Sequence, residues 1–199
     1  RGRDRTSPRG ARGGGVSPAA PPVRRAAVLA SYVATRRRRF ADRGALEAWQ
    51  QRRLRRVLAR ARERYPFYAD VPDARLDAFP VLDKADAVAH FAALTDRGVD
   101  LAECLAVARE AEARRDFTAT VAGLSVGLSS GTSGRQTVFL TSPAERARWA
   151  GTVLAKALPR GVLAGARVAL VLRAGGPLYA SVGSRRVAFR FLDLATPTV

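Results

Sequence analysis

The chain has 199 residues, of which 47% are hydrophobic and 7% aromatic, so it is long enough to bury a core and has the composition of a globular protein. Its single cysteine, Cys104, excludes an intrachain disulfide and fits a reducing compartment, so we expect a cytoplasmic protein. The formal net charge is +18, and no apolar run approaches the roughly 18 residues of a membrane span, which predicts no membrane partner.

The positive charge is concentrated in the N-terminal third of the chain. Residues 1–65 hold 19 arginines against 4 acidic residues, a balance of +15, whereas residues 66–199 hold 16 basic against 13 acidic residues, a balance of +3. This distribution keeps open one alternative function, a basic nucleic-acid-associated protein that uses the arginine-rich third. Because the remainder is nearly balanced, we favour a different function for it.

Residues 1–22 are predicted to be a disordered basic tail. They consist almost entirely of Arg, Gly, Pro, Ser and Ala, with Val16 as the one large apolar residue. Such a segment cannot bury enough apolar surface to offset the entropy lost on ordering. An RNA-binding arm is the alternative, but no aromatic residue interleaves the arginines.

Four helices are predicted in the next region, residues 23–115. The first covers 24–42, and the second covers 45–65, with an apolar stripe through Leu46, Trp49, Arg53, Val57, Ala61 and Tyr65 that Leu54 and Leu58 widen. Pro66 ends the second helix. Its many arginines suit a solvated helix packed through one face, and a nucleic-acid-binding helix is the alternative.

The third and fourth helices are predicted from their caps. Asp83 with Asp86 predicts a helix over 83–96 that Gly98 closes, and Asp100 with Glu103 predicts a helix over 101–114. His90, the only histidine, is expected to be a surface or core residue of the third helix rather than a catalytic one.

The pattern changes at residue 116, and residues 116–199 are predicted to be the α/β part of the chain. Strands are expected at 117–121, 125–128, 137–141, 167–172 and 187–194. Between them, Ser142, Pro143 and Glu145 form a strong helix start, and that helix is expected to run to about Leu158. Alternating strands and helices indicate an α/β fold.

Several motifs compete for residues 123–136, GLSVGLSSGTSGRQ. The stretch from Gly123 to Gly127 matches the G-x-S-x-G elbow of serine hydrolases, but no helix follows the serine directly and no histidine lies beyond His90. A Walker A loop requires Lys after its last glycine, where Arg135 stands here. A G-x-G-x-x-G dinucleotide fingerprint is absent.

A phosphate-binding loop of another kind remains. Glycines let backbone N–H groups approach an anion, hydroxyls add donors, and a guanidinium can bind two phosphate oxygens. On composition alone, a flexible surface hairpin is an equal alternative. The candidate phosphate ligands are Ser129, Ser130, Gly131, Thr132, Ser133, Gly134 and Arg135.

The run S-S-G-T-S-G between two strands resembles the signature loop of the adenylate-forming (AMP-binding) enzyme superfamily. The segments Tyr65-Pro-Phe-Tyr68 and Phe79-Pro-Val-Leu-Asp-Lys84 resemble the corresponding part of phenylacetate–coenzyme A ligases. The segments at 142–146 and 178–186 resemble the sequences of the coenzyme F synthetase-like branch. At its end the loop departs from the superfamily, because Gly134-Arg135-Gln136 replaces the usual Gly-Lys-Pro.

The resemblance implies an α/β fold in which N-terminal helices precede the start of the AMP-binding domain, a mixed sheet flanked by helices. It implies an AMP-forming ligase that uses ATP and Mg²⁺ to convert a carboxylate or cofactor substrate into an adenylate and pyrophosphate. The acceptor substrate is not identified by any residue. Because the chain starts at Arg1, contains no methionine and lacks the family's later motifs, we expect an inactive N-terminal fragment.

Overall fold

A computed structural model describes residues 16–17, 22–129, 137–158, 160–172 and 186–193. Within these residues the chain forms five α-helices and two β-sheets, which confirms the α/β class. The helices are α1 (Arg25–Arg37), α2 (Arg43–Arg64), α3 (Lys84–Ala89), α4 (Leu101–Arg114) and α5 (Pro143–Ala157). The strands are β1 (Val16–Ser17), β2 (Thr120–Val121), β3 (Leu124–Leu128), β4 (Val138–Thr141), β5 (Ala166–Leu172) and β6 (Val187–Asp193).

The described strands form an antiparallel sheet of order β1-β2-β3-β4 and a separate parallel pair, β5-β6. Val16 pairs with Val121 and Ser17 with Thr120, so these two residues of the tail are ordered and the prediction of disorder is wrong for them. The edge of β2 offers unpaired backbone groups, and Val16 is the one large apolar residue of its segment. Residues 1–15 and 18–21 lie outside the described part.

Two apolar clusters form the core. The first joins α1, α5 and β6, and the second lies between α4 and the strands β2 and β3. The buried members of the first cluster are Val28, Ala147, Ala150, Leu154, Leu158 and Val187. Those of the second are Val99, Cys104, Ala108, Val121, Leu124 and Val126.

Helices α1 and α5 cross at very short range. A Cβ placed on Gly151 of α5 would lie 2.3 Å from the carbonyl oxygen of Val28 and 2.7 Å from the backbone nitrogen of Tyr32. The Ser31 hydroxyl donates to the carbonyl of Arg148 at 2.9 Å, and the Tyr32 hydroxyl accepts from the N–H of Val162 at 3.2 Å. The two helices therefore meet backbone to backbone, and hydrogen bonds join α1 both to α5 and to the segment that follows α5.

Helix α2 packs through the predicted stripe, most of whose residues are buried or half-buried. Asp42 caps it by accepting from the N–H of Ala45 at 2.7 Å, and the helix ends before Pro66 as expected. Leu58 is its one buried residue, whereas Val57 of the predicted stripe is 53% exposed. Leu54 is half-buried, so the stripe is centred on the side of Leu54 and Leu58, and Arg53 and Val57 lie at its exposed edge. No helix in the described part of the chain combines the length and apolarity that a membrane crossing needs.

Helix α3 has the predicted capping box but ends at Ala89, so the prediction of a helix to residue 96 is wrong. Asp83 and Asp86 cap each other's backbone N–H groups as expected. His90 leaves the helical conformation, and the following turns place the carbonyl of Ala93 where the N–H of Phe67 donates to it at 3.0 Å. This bond to another segment takes the place of a continued helix. Gly98 has a φ of +57°, as expected for a glycine that ends such a segment.

Cys104 supplies a prediction about pH. Its thiol has no solvent exposure, and burial, then the nearby charges of Glu103 and Asp100, raise its pKa from 9.0 to about 11. Because the thiolate is the reactive form, we expect native Cys104 to react with a thiol reagent at pH 8 at least about 100-fold more slowly than the unfolded chain.

The pKa of Cys104 is higher in the folded protein than in the unfolded chain, so the protonated thiol contributes to the free energy of unfolding. That contribution is fully present below pH 9 and is lost as pH rises through 11. Equal rates in buffer and in denaturant would show that Cys104 is accessible.

Candidate functional site

The predicted loop is carried by a regular β-hairpin. β3 and β4 pair antiparallel with Ser125 opposite Thr141 and Leu128 opposite Val138, which confirms the two strands predicted on either side of the loop. Apart from the exposed Phe139, the large apolar residues of both strands pack in the second core cluster. A rigid support of this kind is what a ligand-binding loop requires.

The base of the loop is closed by three hydrogen bonds between Ser129 and Thr137. The Ser129 N–H donates to the Thr137 carbonyl at 2.8 Å, and the Ser129 hydroxyl oxygen accepts from the Thr137 N–H and from the Thr137 hydroxyl, both at 2.9 Å. Ser129 and Thr137 therefore hold the two ends of the predicted loop together.

The remaining candidate phosphate ligands lie outside the described residues. Of the predicted set, only Ser129 is described, together with Thr137 on the other side of the loop. The residues outside are Ser130, Gly131, Thr132, Ser133, Gly134 and Arg135. The segment 178–186, which also carries the resemblance, lies outside the described residues apart from Arg186.

The serine of the G-x-S-x-G match stands in the middle of a strand. Ser125 pairs with Thr120 on one side and Thr141 on the other, so it does not occupy a strand-to-helix turn. Gly127 has a separate structural reason, because a Cβ there would lie 2.2 Å from the ring of Phe139. The geometry of a hydrolase elbow is therefore absent from this described stretch.

An apolar cavity of about 260 Å³ adjoins the C-terminal side of the loop. Thr137 and Val138 line it from the hairpin, and Phe91 and Leu94 line it from the segment after α3. A cavity of this size holds a small apolar group rather than a large ligand. It places apolar surface beside the first residue that follows the loop.

The aromatic side chains of the segment Tyr65-Pro-Phe-Tyr68 pack into a cluster. The Phe67 ring lies 5.1 Å from that of Tyr68 and 5.0 Å from that of His90, and Tyr68 lies 5.2 Å from Phe79. Burial, then the charge of Tyr65, raises the pKa of the Tyr68 hydroxyl. His90 is exposed at the surface, and its ring lies against that of Phe67.

Sequence reasoning missed a second candidate site, a groove of about 510 Å³ between α1, α2 and α5. It brings together Arg38 from the end of α1, Trp49 and Arg53 from α2, and Arg148 from the distant helix α5. The run of arginines at 36–39 was visible, but the residues that would face them depend on the crossing of α1 and α5. The distribution of charge along the sequence therefore could not predict this groove.

Comparison with known proteins adds no relative: no family model, curated protein or solved structure matches the chain. The resemblance to adenylate-forming enzymes thus stays a prediction that rests on the residues quoted above.

Proposed function

We propose that this chain is the ATP-phosphate-binding, N-terminal portion of a cytoplasmic AMP-forming ligase. The observation that supports the proposal most directly is the hairpin β3–β4, which presents the Ser/Gly/Thr/Arg loop between two paired strands and closes it at Ser129 and Thr137. Backbone N–H groups and hydroxyls of a Ser/Gly/Thr loop suit the terminal phosphates of ATP, and Arg135 would supply the positive charge.

The chemistry would be adenylation. The loop would hold the β- and γ-phosphates while a carboxylate or cofactor substrate attacks the α-phosphate, and Mg²⁺, when bound, would offset the phosphate charge. The cavity beside Thr137 offers space for a small apolar part of such a substrate. A loop that holds the leaving pyrophosphate contributes by positioning and by charge stabilisation.

The alternative function, nucleic-acid binding, has support from α2, whose arginines 52, 53, 55, 56 and 60 are exposed. This alternative is weakened by the lack of free aromatic rings on α2. Trp49 is the one aromatic residue of α2, and the Arg38 guanidinium already lies over its ring at 4.6 Å. Binding of single strands usually requires free aromatic faces on which bases stack. We therefore place the phosphate loop first.

The test is Mg·ATP binding by calorimetry. We expect Thr132→Ala and Arg135→Ala each to weaken binding by roughly 10- to 150-fold, since a charge-assisted hydrogen bond contributes about 1.5–3 kcal/mol. Both variants should melt like wild type, because a loop of small polar residues has little apolar surface to bury, so we expect a change in stability of no more than about 0.5 kcal/mol.

Arg160→Ala, which removes an exposed arginine elsewhere, serves as the matched control and should bind ATP like wild type. AMP should bind far more weakly than ATP, because it lacks the two phosphates that the loop would hold. Wild-type affinity in both loop variants would refute the phosphate-loop assignment. Unfolding of both variants would instead make the loop structural.

A further inference from the structure

The groove between α1, α2 and α5 has a lining of unusual composition. It consists of alanines, three hydroxyl residues, one tryptophan and three arginines, with no acidic residue among them. The lining residues are Ala27, Ala30, Ser31, Ala34, Thr35, Arg38, Trp49, Arg53, Ala144, Ala147, Arg148 and Thr152. Its volume of about 510 Å³ falls within the range of small-molecule sites.

Three of the four consecutive arginines at 36–39 have different partners. Arg36 donates to the carbonyl of Leu158, and Arg39 donates to the carbonyls of Arg36 and Arg38. Arg38 instead lies over the ring of Trp49, 4.6 Å from its centroid, and lines the groove. A stacked guanidinium keeps its N–H donors at its edges, where they can bind an anion.

The other two arginines complete a cationic site from separate elements. Arg53 comes from α2 and Arg148 from α5, and both line the groove with Arg38. Among the described residues, none of these three arginines forms an ion pair with a carboxylate. Three cations around one groove without a neutralising acid favour an anion of more than one charge.

The alanine lining determines the rest of the ligand. Ala30, Ala34 and Ala147 give the groove compact apolar walls, while the Thr35 and Thr152 side chains add hydroxyls. We propose that the groove binds a small organic phosphate, whose phosphate is held by Arg38, Arg53 and Arg148 and whose compact apolar part lies against the alanines. This site is separate from the phosphate loop, and it does not depend on the function proposed above.

The experiment uses phenyl phosphate as the probe and calorimetry of the whole chain as the readout. We expect saturable binding to wild type, tighter than that of inorganic phosphate or of benzoate. Arg53→Ala should weaken binding by about 10- to 100-fold, because it removes one charge-assisted contact. Arg53 is exposed, so this variant is expected to fold.

Arg55→Ala is the matched control, since it removes the same charge from the same helix outside the groove. It should change the affinity by less than about 2-fold, in keeping with the small effect of exposed charges. Arg135→Ala should also bind phenyl phosphate like wild type, which separates this site from the phosphate loop.

Three results would overturn the proposal. The first is the absence of saturable binding to wild type. The second is an equal loss in Arg53→Ala and Arg55→Ala, which would indicate a diffuse basic surface. The third is single-stranded RNA that displaces phenyl phosphate and binds with a steep salt dependence lost equally in both variants, which would make the face a nucleic-acid surface.

Discussion

Replacing Leu124 with alanine is expected to lower the free energy of unfolding by about 2–5 kcal/mol, the range found for leucine truncation in a packed core. Leu124 begins β3, is 6% exposed and belongs to the cluster that contains Val121 and Val126. The truncation removes apolar contact exactly where the hairpin rests on α4, so little can move in to fill the space. Urea unfolding followed by circular dichroism measures the loss.

Leu163→Ala is the control for this prediction. Leu163 is 77% exposed, so the same chemical change there should alter the free energy of unfolding by no more than about 0.5 kcal/mol. If Leu124→Ala and Leu163→Ala had equal small effects, the hairpin would not rest on a packed core. The support claimed for the loop would then be absent.

A side chain at Gly151 is expected to disrupt the crossing of α1 and α5. Gly151→Ala should lower the free energy of unfolding by about 1–3 kcal/mol, the usual cost of overpacking, even though alanine favours the helix by about 1 kcal/mol. The new Cβ would meet backbone atoms of Val28 and Tyr32, which cannot rotate away as a side chain could. Gly151→Leu should cost more, and both losses can be read from urea unfolding.

Gly44→Ala provides the comparison within a helix. The nearest atom to a Cβ at Gly44 is the Asp42 carboxylate oxygen at 3.3 Å, so the preference of alanine for helices should offset the minor contact. Its stability should equal or slightly exceed that of wild type. A stable Gly151→Ala variant would mean that the helices can separate without loss, and that the tight crossing does not govern stability.

Local signals in the sequence predicted most of the described elements. Asp83, Asp100 and Ser142 were each recognised as caps, and all three accept the expected backbone N–H. These signals succeed because a cap acts within three residues of itself. The two strands on either side of residues 130–136 were predicted for a related reason, since alternation of apolar residues is also a short-range pattern.

Features set by distant contacts were not predictable. The strand expected at 117–121 is limited to Thr120–Val121, and the turn that follows places Ala122 at a φ of +49°. An Ala-Gly pair is a weak turn signal, so the hairpin joining β2 to β3 was not foreseen. Arg146 of α5 is 3% exposed, and its burial lowers the pKa of its guanidinium. The early end of α3 could not be predicted without the segment against which the following turns pack.

The crossing of α1 and α5 also has a consequence for the time course of synthesis. Ser31 and the carbonyl of Arg148 that it binds are 117 positions apart. At roughly 5–20 residues per second, α1 waits about 6–23 s after leaving the ribosomal active site before its partner exists. The cluster of Val99, Val121 and Leu124 comes from a short stretch of chain and can close first. Helix α1 is therefore synthesised early but packs against α5 late. The arginines at both of its ends favour solvation of the segment until α5 has been synthesised.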